Sequence, residues 1–413
     1  MPKNWKTYKL GDICDLRKDS INPKNFNNED YIGLEHIGQG TFLLEGLGNA
    51  KDVVSNKYKF SSGDILYGKI RPYFKKAYRP NFAGICSTDI LIFKTINEDI
   101  VRQDFLYQLI KTQGFTDRAT ETSSGTKMPR ADWNSLQQII YKFPPLPEQK
   151  AIASILSALD DKIENNLAMN KTLEDMAMAL FNHWFVDFIP FEDGKFIDSE
   201  LGKIPEGWEV KSLKDTISFI VDNRGKTAPV SDSGIPLIAT NCVKNKWIFP
   251  SYDTIRYINQ KTYANWFRAH PIPGDIIFIN KGLPGSVNLV PDPIDFCIAQ
   301  DMVALRVNEN IITNYYLFCY LRSTRVQNEI RNKSVGTTIP HLKKTDLLKF
   351  QVQVPILLET LKFNEIVKPI YSQINYNMKE VKTLSHLRDT LLPKLISGEV
   401  RLKEFEEEIT AAL

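Results

Sequence analysis

The sequence of 413 residues has few of the features that mark a membrane protein, a secreted protein or a metal-binding protein. No apolar run approaches the roughly 18 residues of a membrane span, and residues 1–10 show no apolar signal-peptide core. The five cysteines are scattered and never spaced as C-x-x-C, which favours reduced thiols and argues against zinc. Lys and Arg number 52 against 49 Asp and Glu, so the net charge neither demands nor excludes nucleic acid. We expect a cytoplasmic globular protein with no metal site.

Motifs for catalysis and cofactor binding are also missing. The sequence contains no G-x-x-x-x-G-K-[ST] phosphate loop, no G-x-G-x-x-G loop, no N-P-P-[YF] or D-P-P-Y adenine-methylation motif and no G-x-S-x-G elbow. The acid–lysine cluster at residues 192–195 follows Pro190 and is expected to be a solvated loop. We therefore predict that this chain has no catalytic residue and binds no cofactor itself.

An internal duplication is the most informative feature of the sequence. The segment SSGTKMP at 123–129 matches SVGTTIP at 334–340, an offset of 211 residues. The same offset relates GDI at 63–65 to GDI at 274–276, and KTL at 171–173 to KTL at 382–384. A constant offset held across about 120 residues predicts two similar structural units. The offset changes near the two starts, where Trp5 resembles Trp208, which indicates loop insertions.

Each half of the sequence follows the same order of patterns. A stretch rich in β-branched and aromatic residues, interrupted by Gly and Pro, predicts strands and turns with a few short helices. A long helix follows, predicted in the first half from about residue 148 to residue 184 and introduced by Pro147 and Glu148. The predicted fold class is therefore α+β.

The apolar positions of both long helices recur with a period of 3.5 residues, which is typical of a coiled-coil seam. The predicted seam residues are Ile152, Leu156, Leu159, Ile163, Asn166, Leu173 and Leu180 in the first helix, and Phe363, Val367, Ile370, Ile374, Asn377, Val381, Leu384 and Leu391 in the second. Pro369 is expected to shift the helix start or kink it, and Arg388 is a second irregularity. Asn166 and Asn377 are either surface amides or a polar layer that sets the register.

These patterns predict two similar units separated by two long helices that form an antiparallel coiled coil with pseudo-twofold symmetry. A helix of about 37 residues spans roughly 55 Å, and two modules at a fixed distance suit a ligand with two subsites, such as duplex DNA. The predicted divisions are a first unit at 1–146, a central helix at 147–190, a second unit at 191–357, a second long helix at 358–398 and a tail at 399–413.

Basic residues that cluster with turn formers and aromatics are the candidates for DNA contact, because such clusters neutralise phosphates and reach base edges. A charged loop is usually only solvated, but recurrence of these clusters at matching places in both halves favours the functional interpretation. The candidates are Lys69, Arg71, Lys75, Lys76, Thr126, Lys127 and Arg130 in the first half, and Arg224, Lys226, Lys281, Thr337, Thr338 and His341 in the second.

Three segments resemble a known family. They are PPLPEQKAI at 144–152, LGKIPEGW at 201–208 and LLPKLISGEV at 391–400. Together with the repeat, they make nearly the whole chain resemble the specificity subunit of a type I restriction-modification system. The second half departs from the family pattern at 355–359, where it reads PILLE.

The resemblance implies that each unit is a target recognition domain that reads one half of a bipartite DNA site. It implies that the helices set the spacer between the halves and dock two methyltransferase subunits, which bind S-adenosylmethionine and methylate adenine N6. Restriction–translocase subunits would cleave DNA with ATP and Mg²⁺. This chain would then be a non-catalytic subunit.

Three other interpretations remain open at this point. A complete single-chain restriction or methylation enzyme is disfavoured by the missing cofactor motifs. A helical scaffold that binds only proteins is permitted by the long helices alone. A homodimeric transcription regulator is disfavoured because no helix-turn-helix is recognisable and the duplication already supplies two similar units.

A deletion in both long helices would test whether they set the spacer. Removing seven residues from the central helix and the matching seven from the second keeps the seam in phase. The pair then shortens by about 10 Å, close to three base pairs at 3.4 Å per step. We expect the recognised spacer to shorten or activity to be lost, as measured by the methylation pattern. An unchanged spacer would contradict the hypothesis.

Overall fold

The computed structural model describes residues 4–25, 29–125, 127–223, 225–252, 255–336 and 339–402. Within them, the α-helices in chain order are α1 Leu10–Ile13, α2 Gln103–Ile110, α3 Gln113–Glu121, α4 Trp133–Leu136, α5 Leu146–Phe185, α6 Leu213–Thr216, α7 Gln260–Trp266, α8 Asn314–Arg322, α9 Thr324–Lys333, α10 Lys344–Leu347 and α11 Leu357–Ser397. Short 3₁₀ helices lie at Pro23–Asn25, Leu34–His36, Ala50–Asp52, Pro72–Phe74, Ile189–Phe191 and Thr240–Cys242.

The strands lie mostly in two series, one before α5 and one between α5 and α11. The first series is β1 Lys6–Lys9, β2 Cys14–Leu16, β3 Ser20–Ile21, β4 Asp30–Ile32, β5 Gly48–Asn49, β6 Lys57–Phe60, β7 Ile65–Gly68, β8 Ala77–Tyr78, β9 Gly84–Cys86, β10 Ile90–Thr95, β11 Ser123–Ser124, β12 Arg130–Ala131 and β13 Ile140–Phe143. The second is β14 Phe196–Ser199, β15 Gly202–Pro205, β16 Glu209–Ser212, β17 Ile217–Val221, β18 Ile235–Ile238, β19 Arg256–Ile258, β20 Ile276–Ile279, β21 Val287–Leu289, β22 Cys297–Ile298, β23 Met302–Val307 and β24 Gln351–Val354.

The chain divides into two compact units, each of which contains part of both long helices. The first unit combines residues 1–165 with 380–413, and the second takes in 166–379. The N-terminal part of α5 and the C-terminal part of α11 therefore belong to the first unit. The remaining parts of both helices belong to the second.

The two units share the central part of their sheet topology, although the sheet that contains β4 and β9 has five strands and the sheet that contains β18 and β22 has three. A four-stranded antiparallel sheet has the order β2-β10-β7-β8 in the first unit and β17-β23-β20-β21 in the second. The pair β1–β13 corresponds to β16–β24, and the parallel pair β4–β9 corresponds to β18–β22. The α+β class and the internal repeat predicted from the sequence are confirmed.

The central strands of these sheets are apolar on both faces. In β20, Ile276 and Phe278 belong to one hydrophobic core, whereas Ile277 and Ile279 belong to another. Successive side chains of a strand point to opposite faces, so a continuous apolar run here supplies two cores at once. The G-D-I motif places a turn before the strand, in which the Asp275 carboxylate accepts the Ile272 backbone N–H at 2.9 Å.

Both long helices are continuous over their whole lengths. The helix α5 has 40 residues and extends two residues before the predicted start and one beyond the predicted end. The helix α11 has 41 residues and begins at Leu357, twelve residues before Pro369. The proline therefore does not shift the start of the helix. Pro369 and Glu365 are both exposed, so water can satisfy the Glu365 carbonyl that loses its intrahelical donor.

The helices α5 and α11 run antiparallel in each unit, as predicted. In the second unit, Asn170 bonds to Asn377, and the ring of Phe181 lies 6.1 Å from that of Phe363. Residue numbers thus rise along α5 as they fall along α11. The helices do not pack only on each other, because Phe181 and Phe363 share one hydrophobic core with Tyr316.

The predicted seam positions all lie on the inward sides of the helices. Ile152, Leu156, Ile163, Asn166, Phe363, Val367, Ile374, Asn377 and Leu391 are buried, and Leu159, Leu173, Leu180, Ile370, Val381 and Leu384 are half-buried. Arg388 is also buried, at 4% exposure, and it forms an ion pair with Asp160 at 3.4 Å. Its position in the seam is therefore occupied by a paired charge.

A buried amide pair interrupts the apolar seam in the second unit. The Asn377 side chain donates to the Asn170 amide oxygen at 2.8 Å, and the Gln373 side chain donates to the Asn377 oxygen at 2.7 Å. Asn166 is also buried. The residue that Asn377 meets across the helix pair is therefore Asn170 and not Asn166, its equivalent in the repeat.

None of the helices among the described residues is long and apolar enough to cross a membrane. No group of three or more His, Cys, Asp or Glu side chains among the same residues is placed to hold a metal ion.

Substitutions at the amide pair should show energetic coupling. Asn377→Leu leaves the buried Asn170 oxygen without its donor, so we expect a loss of about 1–3 kcal/mol in the free energy of unfolding. Asn170→Leu combined with Asn377→Leu removes both partners and should cost less than the sum of the single changes. Urea unfolding of the four proteins in the cycle measures this coupling. Tyr376→Ala, at a residue 62% exposed, is the control and should change stability by less than about 0.5 kcal/mol. Additive effects of the two Asn→Leu changes would contradict the pairing.

Candidate nucleic-acid interface

In the first unit, backbone hydrogen bonds join the loop after β7 to the β11–β12 hairpin. The Arg71 N–H donates to the Pro129 carbonyl at 2.8 Å, and the Ala131 N–H donates to the Lys69 carbonyl at 2.9 Å. Two segments that are about 60 residues apart in sequence thereby form one surface, as non-local sheet pairing does. We call residues 69–76, 123–125 and 127–131 the first loop–hairpin surface.

The second unit repeats these hydrogen bonds. The Gly282 N–H donates to the Pro340 carbonyl at 2.9 Å, and the Leu342 N–H donates to the Asn280 carbonyl at 2.8 Å. Each of these four residues lies 211 positions after its counterpart in the first unit. The offset of 211 residues found in the sequence therefore also relates individual backbone hydrogen bonds of the two units. We call residues 280–287, 334–336 and 339–343 the second loop–hairpin surface.

The loops of both surfaces adopt left-handed backbone conformations. In the first surface, Arg71 and Lys75 flank the 3₁₀ helix Pro72–Phe74, and each has a φ of 50°. Non-glycine residues in this region cost about 1–3 kcal/mol each and are concentrated at functional sites. In the second surface, the position of Arg71 is taken by Gly282, whose φ is 94°, so a positive φ at this position costs little there.

Exposed apolar side chains lie on both surfaces. Tyr73 is 48% exposed and Met128 47% exposed in the first surface, and Leu283 is 57% exposed and Ile339 54% exposed in the second. Met128 and Ile339 occupy the same position of the repeat. Apolar and aromatic groups beside cations suit contact with thymine methyl groups and base faces. Sequence reasoning missed these four residues, although the G-T-x-x-P match already singled out Met128 and Ile339.

The cations of the first surface fall into two groups. Lys127 and Arg130 are exposed, although the Arg130 Nε lies 4.0 Å from an Asp89 carboxylate oxygen. The Lys69 ammonium instead donates to the Thr88 carbonyl at 2.7 Å and lies 3.5 Å from Asp89. Lys127 is therefore the cation most free to meet a phosphate.

Arg71, Lys75 and Lys76 are engaged with the protein itself. The Lys76 ammonium donates to the Leu34 carbonyl at 2.5 Å, the Lys75 ammonium lies 5.8 Å from the centre of the Phe42 ring, and the Arg71 guanidinium lies 5.9 Å from that of Phe74. Burial lowers the pKa of both Lys75 and Lys76. These contacts hold the loop in place, and no local sequence signal indicates them.

In the second unit, Lys226 and Lys281 are exposed, and His341 is half-buried with its backbone paired to Val335. An ion pair between Lys344 and Asp222 brings the start of the polar loop at 222–227 to the helix α10, which follows the hairpin. The Gln300 side chain donates to the Thr227 hydroxyl at 3.1 Å in the same loop. Four further candidates, Thr126, Arg224, Thr337 and Thr338, lie outside the described residues.

Comparison with protein families assigns the chain to a class. The family model described as the type I restriction modification DNA specificity domain matches residues 2–175 and again residues 205–385. The two matches follow the internal repeat. The chain therefore belongs to the type I restriction-modification DNA specificity family, as its sequence resemblance predicted.

Curated relatives and a solved structure agree with this assignment. The type I restriction enzyme MjaIX specificity subunit of Methanocaldococcus jannaschii is 29% identical, over 98% of this chain and 95% of that protein. The HindI specificity subunit of Haemophilus influenzae is 26% identical, over 96% of this chain and all of that protein. The crystal structure of the type I system S subunit from M. genitalium matches with a TM-score of 0.57 at 17% identity, over 95% of this chain and 96% of that one, which supports the fold.

The two groups of lysines should respond differently to substitution. Lys127→Ala should reduce the salt dependence of duplex binding by about 0.9 in the slope of log K against log salt, the value for one lost phosphate contact. Lys76→Ala should weaken binding without changing that slope, because its ammonium bonds to a carbonyl of the protein. Equilibrium binding over a salt series measures both quantities.

Lys51→Ala, an exposed lysine of the first unit outside the loop–hairpin surface, is the control and should change neither affinity nor slope. If Lys127→Ala leaves the slope at its original value, Lys127 does not contact a phosphate. If Lys76→Ala lowers the slope as much as Lys127→Ala does, the division into two groups is wrong.

Proposed function

We propose that this chain is the DNA-reading subunit of a type I restriction-modification complex, and that each unit reads one half of a bipartite site through its loop–hairpin surface. One observation carries the proposal, namely that the same hydrogen bonds build this surface in both units at an offset of 211 residues. Two copies of one device suit a target with two half-sites.

The composition of the surfaces supports duplex DNA as the ligand. Exposed cations such as Lys127 and Lys281 can neutralise phosphates, which supplies affinity that does not depend on sequence. Exposed apolar side chains such as Met128 and Ile339 lie beside them and can contact base edges, which supplies specificity. Strained turns at Arg71 and Lys75 fix the loop before DNA arrives, and a preformed surface loses less entropy on binding.

The helices α5 and α11 are proposed to dock the methyltransferase subunits, of which two copies would match the two similar units. Apolar side chains on their solvent sides support this role, since exposed apolar groups in number mark interaction sites. They include Met169 and Met176 on α5, and Leu361, Ile366 and Tyr376 on α11. The same pair of helices would set the spacer between the two half-sites.

The chemistry is proposed to belong to the partner subunits. Methyltransferase subunits would bind S-adenosylmethionine and methylate adenine N6, and restriction–translocase subunits would use ATP and Mg²⁺ to move along DNA and cleave it. The present chain would contribute recognition and assembly, without a catalytic residue or a cofactor. A complex that acts on the cell's own DNA and on incoming DNA works in the cytoplasm, and the proposal includes that location.

A methylome tests the proposal directly. The chain is expressed with its methyltransferase subunit in a host that lacks adenine methylation, and N6-methyladenine is mapped by single-molecule sequencing. We expect one bipartite motif with two specific halves and a fixed spacer, because two fixed surfaces read one duplex.

The methyltransferase subunit expressed alone is the control and should methylate no defined motif. If it methylates the same motif without this chain, then specificity lies in the methyltransferase. A stable complex that contains this chain, active methyltransferase and no methylated motif would also overturn the proposal.

A further inference from the structure

A cation whose side chain is at least nine-tenths buried ends the corresponding helix in each unit. Lys111 follows α2 in the first unit, and Arg322 is the last residue of α8 in the second, 211 positions later. The Lys111 side chain is fully buried, and the Arg322 side chain is 9% exposed. Both form ion pairs with carboxylates on α5, Lys111 with Asp160 and Arg322 with Glu174.

In the second unit, Arg322 connects the helix α5 to a neighbouring loop. One end of its guanidinium pairs with Glu174, and the same nitrogen donates to the Asn245 carbonyl at 2.5 Å. The other terminal nitrogen donates to the Trp247 carbonyl at 3.0 Å. A planar guanidinium holds several acceptors in one fixed geometry, so Arg322 fixes the backbone at 245–247 relative to α5.

The fixed segment in turn holds the end of the second loop–hairpin surface. The Asn245 amide oxygen accepts the Val287 N–H at 2.8 Å, and the Asn245 amide nitrogen donates to the Gly285 carbonyl at 3.3 Å. The Gln327 side chain donates to the same Gly285 carbonyl at 2.9 Å. A continuous series of contacts thus runs from Glu174 on α5 to the loop.

The first unit also connects α5 to its loop, but through different contacts that meet at the Phe42 ring. Lys111 and Arg388 both pair with Asp160 on α5, and Arg388 also donates to the Thr41 carbonyl at 3.4 Å. The Lys111 ammonium lies 5.0 Å and the Arg388 guanidinium 5.2 Å from the centre of the Phe42 ring. Lys75, in the first loop–hairpin surface, lies 5.8 Å from the same ring. These are cation–π distances.

Packing alone does not require these charges. The positions that match Asp160 and Arg388 in the other half of the repeat are Tyr371 and Ala177, both buried in a hydrophobic core. Buried ion pairs are often no more stabilising than apolar side chains of similar volume. The stability of the cores therefore does not by itself account for these charges, and in both units their contacts lead to a loop–hairpin surface.

We propose that Arg322 in the second unit, and Lys111 with Arg388 in the first, are positioning residues that fix each recognition loop to the long helices and so determine base specificity without contacting DNA. The inference rests on the proposed function. It implies that a substitution at one of these buried cations relaxes specificity only in the half-site read by its own unit.

Arg322→Met and Lys111→Met test the inference as a reciprocal pair. Each complex with the methyltransferase is assayed on duplexes that carry the intact motif or single base changes in one half. Arg322→Met should lower the preference for the intact motif over a single base change by about tenfold in the half-site read by the second unit. This factor is comparable to the effect of one mismatched base pair on binding. The preference in the other half-site should not change. Lys111→Met should do the reverse.

Two further variants separate positioning from loss of charge or loss of folding. Arg325→Met removes the same charge from an exposed residue that contacts Tyr320, and it should leave the discrimination in both halves as it was. Glu174→Gln keeps the shape of the α5 partner and changes no group of the recognition loop. It should relax the same half-site as Arg322→Met, with a smaller effect.

The outcomes distinguish the two proposals. The positioning role is supported if each variant loses base discrimination in one half-site only, and if the affected half-site differs between Arg322→Met and Lys111→Met. Unchanged discrimination in both variants, or equal loss in both halves, overturns it, even if the melting temperature falls. If the wild-type complex methylates no bipartite motif, the proposed function itself fails.

Discussion

Burial of the α5 and α11 seam inside the hydrophobic core of each unit is the constraint on which the rest of the structure depends. Phe181 and Phe185 of α5 and Phe363 of α11 lie in the same core as Trp208 and the buried side chains of β20 and α8. Isolated helices gain little stability from propensity, and most of it comes from packing an apolar face. A substitution on the inward side of a long helix therefore also alters the packing of the sheets. The apolar residues that recur every 3.5 positions are needed to fill the cores as well as to pair the helices.

The same constraint explains where the loops lie. The strand β7 begins at Ile65, the last residue of the G-D-I motif, and its buried residues fix its register between two cores. The loop that leaves this strand starts at Lys69 and is already paired with the β11–β12 hairpin at its first residues. Rigid strands thus present a short loop whose conformation is settled before any ligand binds, as binding loops on scaffolds generally require.

Much of the fold followed from the sequence because its signals are local or repeated. The offset of 211 residues predicted the repeat, and the 3.5-residue period predicted the helices and their inward sides. The amide pair shows the limit of this reasoning, since the repeat relates Asn377 to Asn166, while the antiparallel direction of the helices pairs Asn377 with Asn170. Two residues that occupy the same position of the repeat therefore need not contact each other.

The candidate surface was less predictable for a related reason. Charge clusters in the sequence indicated Lys75, Lys76 and Lys127 alike, but only tertiary contacts separate them. Lys76 bonds to the Leu34 carbonyl, 42 positions earlier, whereas Lys127 is exposed at the turn of the hairpin. Exposed apolar residues such as Met128 gave no charge signal, and their relevance depends on the surface to which they belong.

Arg388 shows how a local irregularity can carry information about distant structure. In the sequence it interrupts the seam, and a buried unpaired charge there would be strongly destabilising. In the structure it meets Asp160 across the helix pair and the Thr41–Phe42 loop, and Lys75 lies against the same ring. A polar residue that breaks an otherwise regular seam therefore marks where the helices are connected to something other than each other. In this chain, that connection leads to the loop proposed to read DNA.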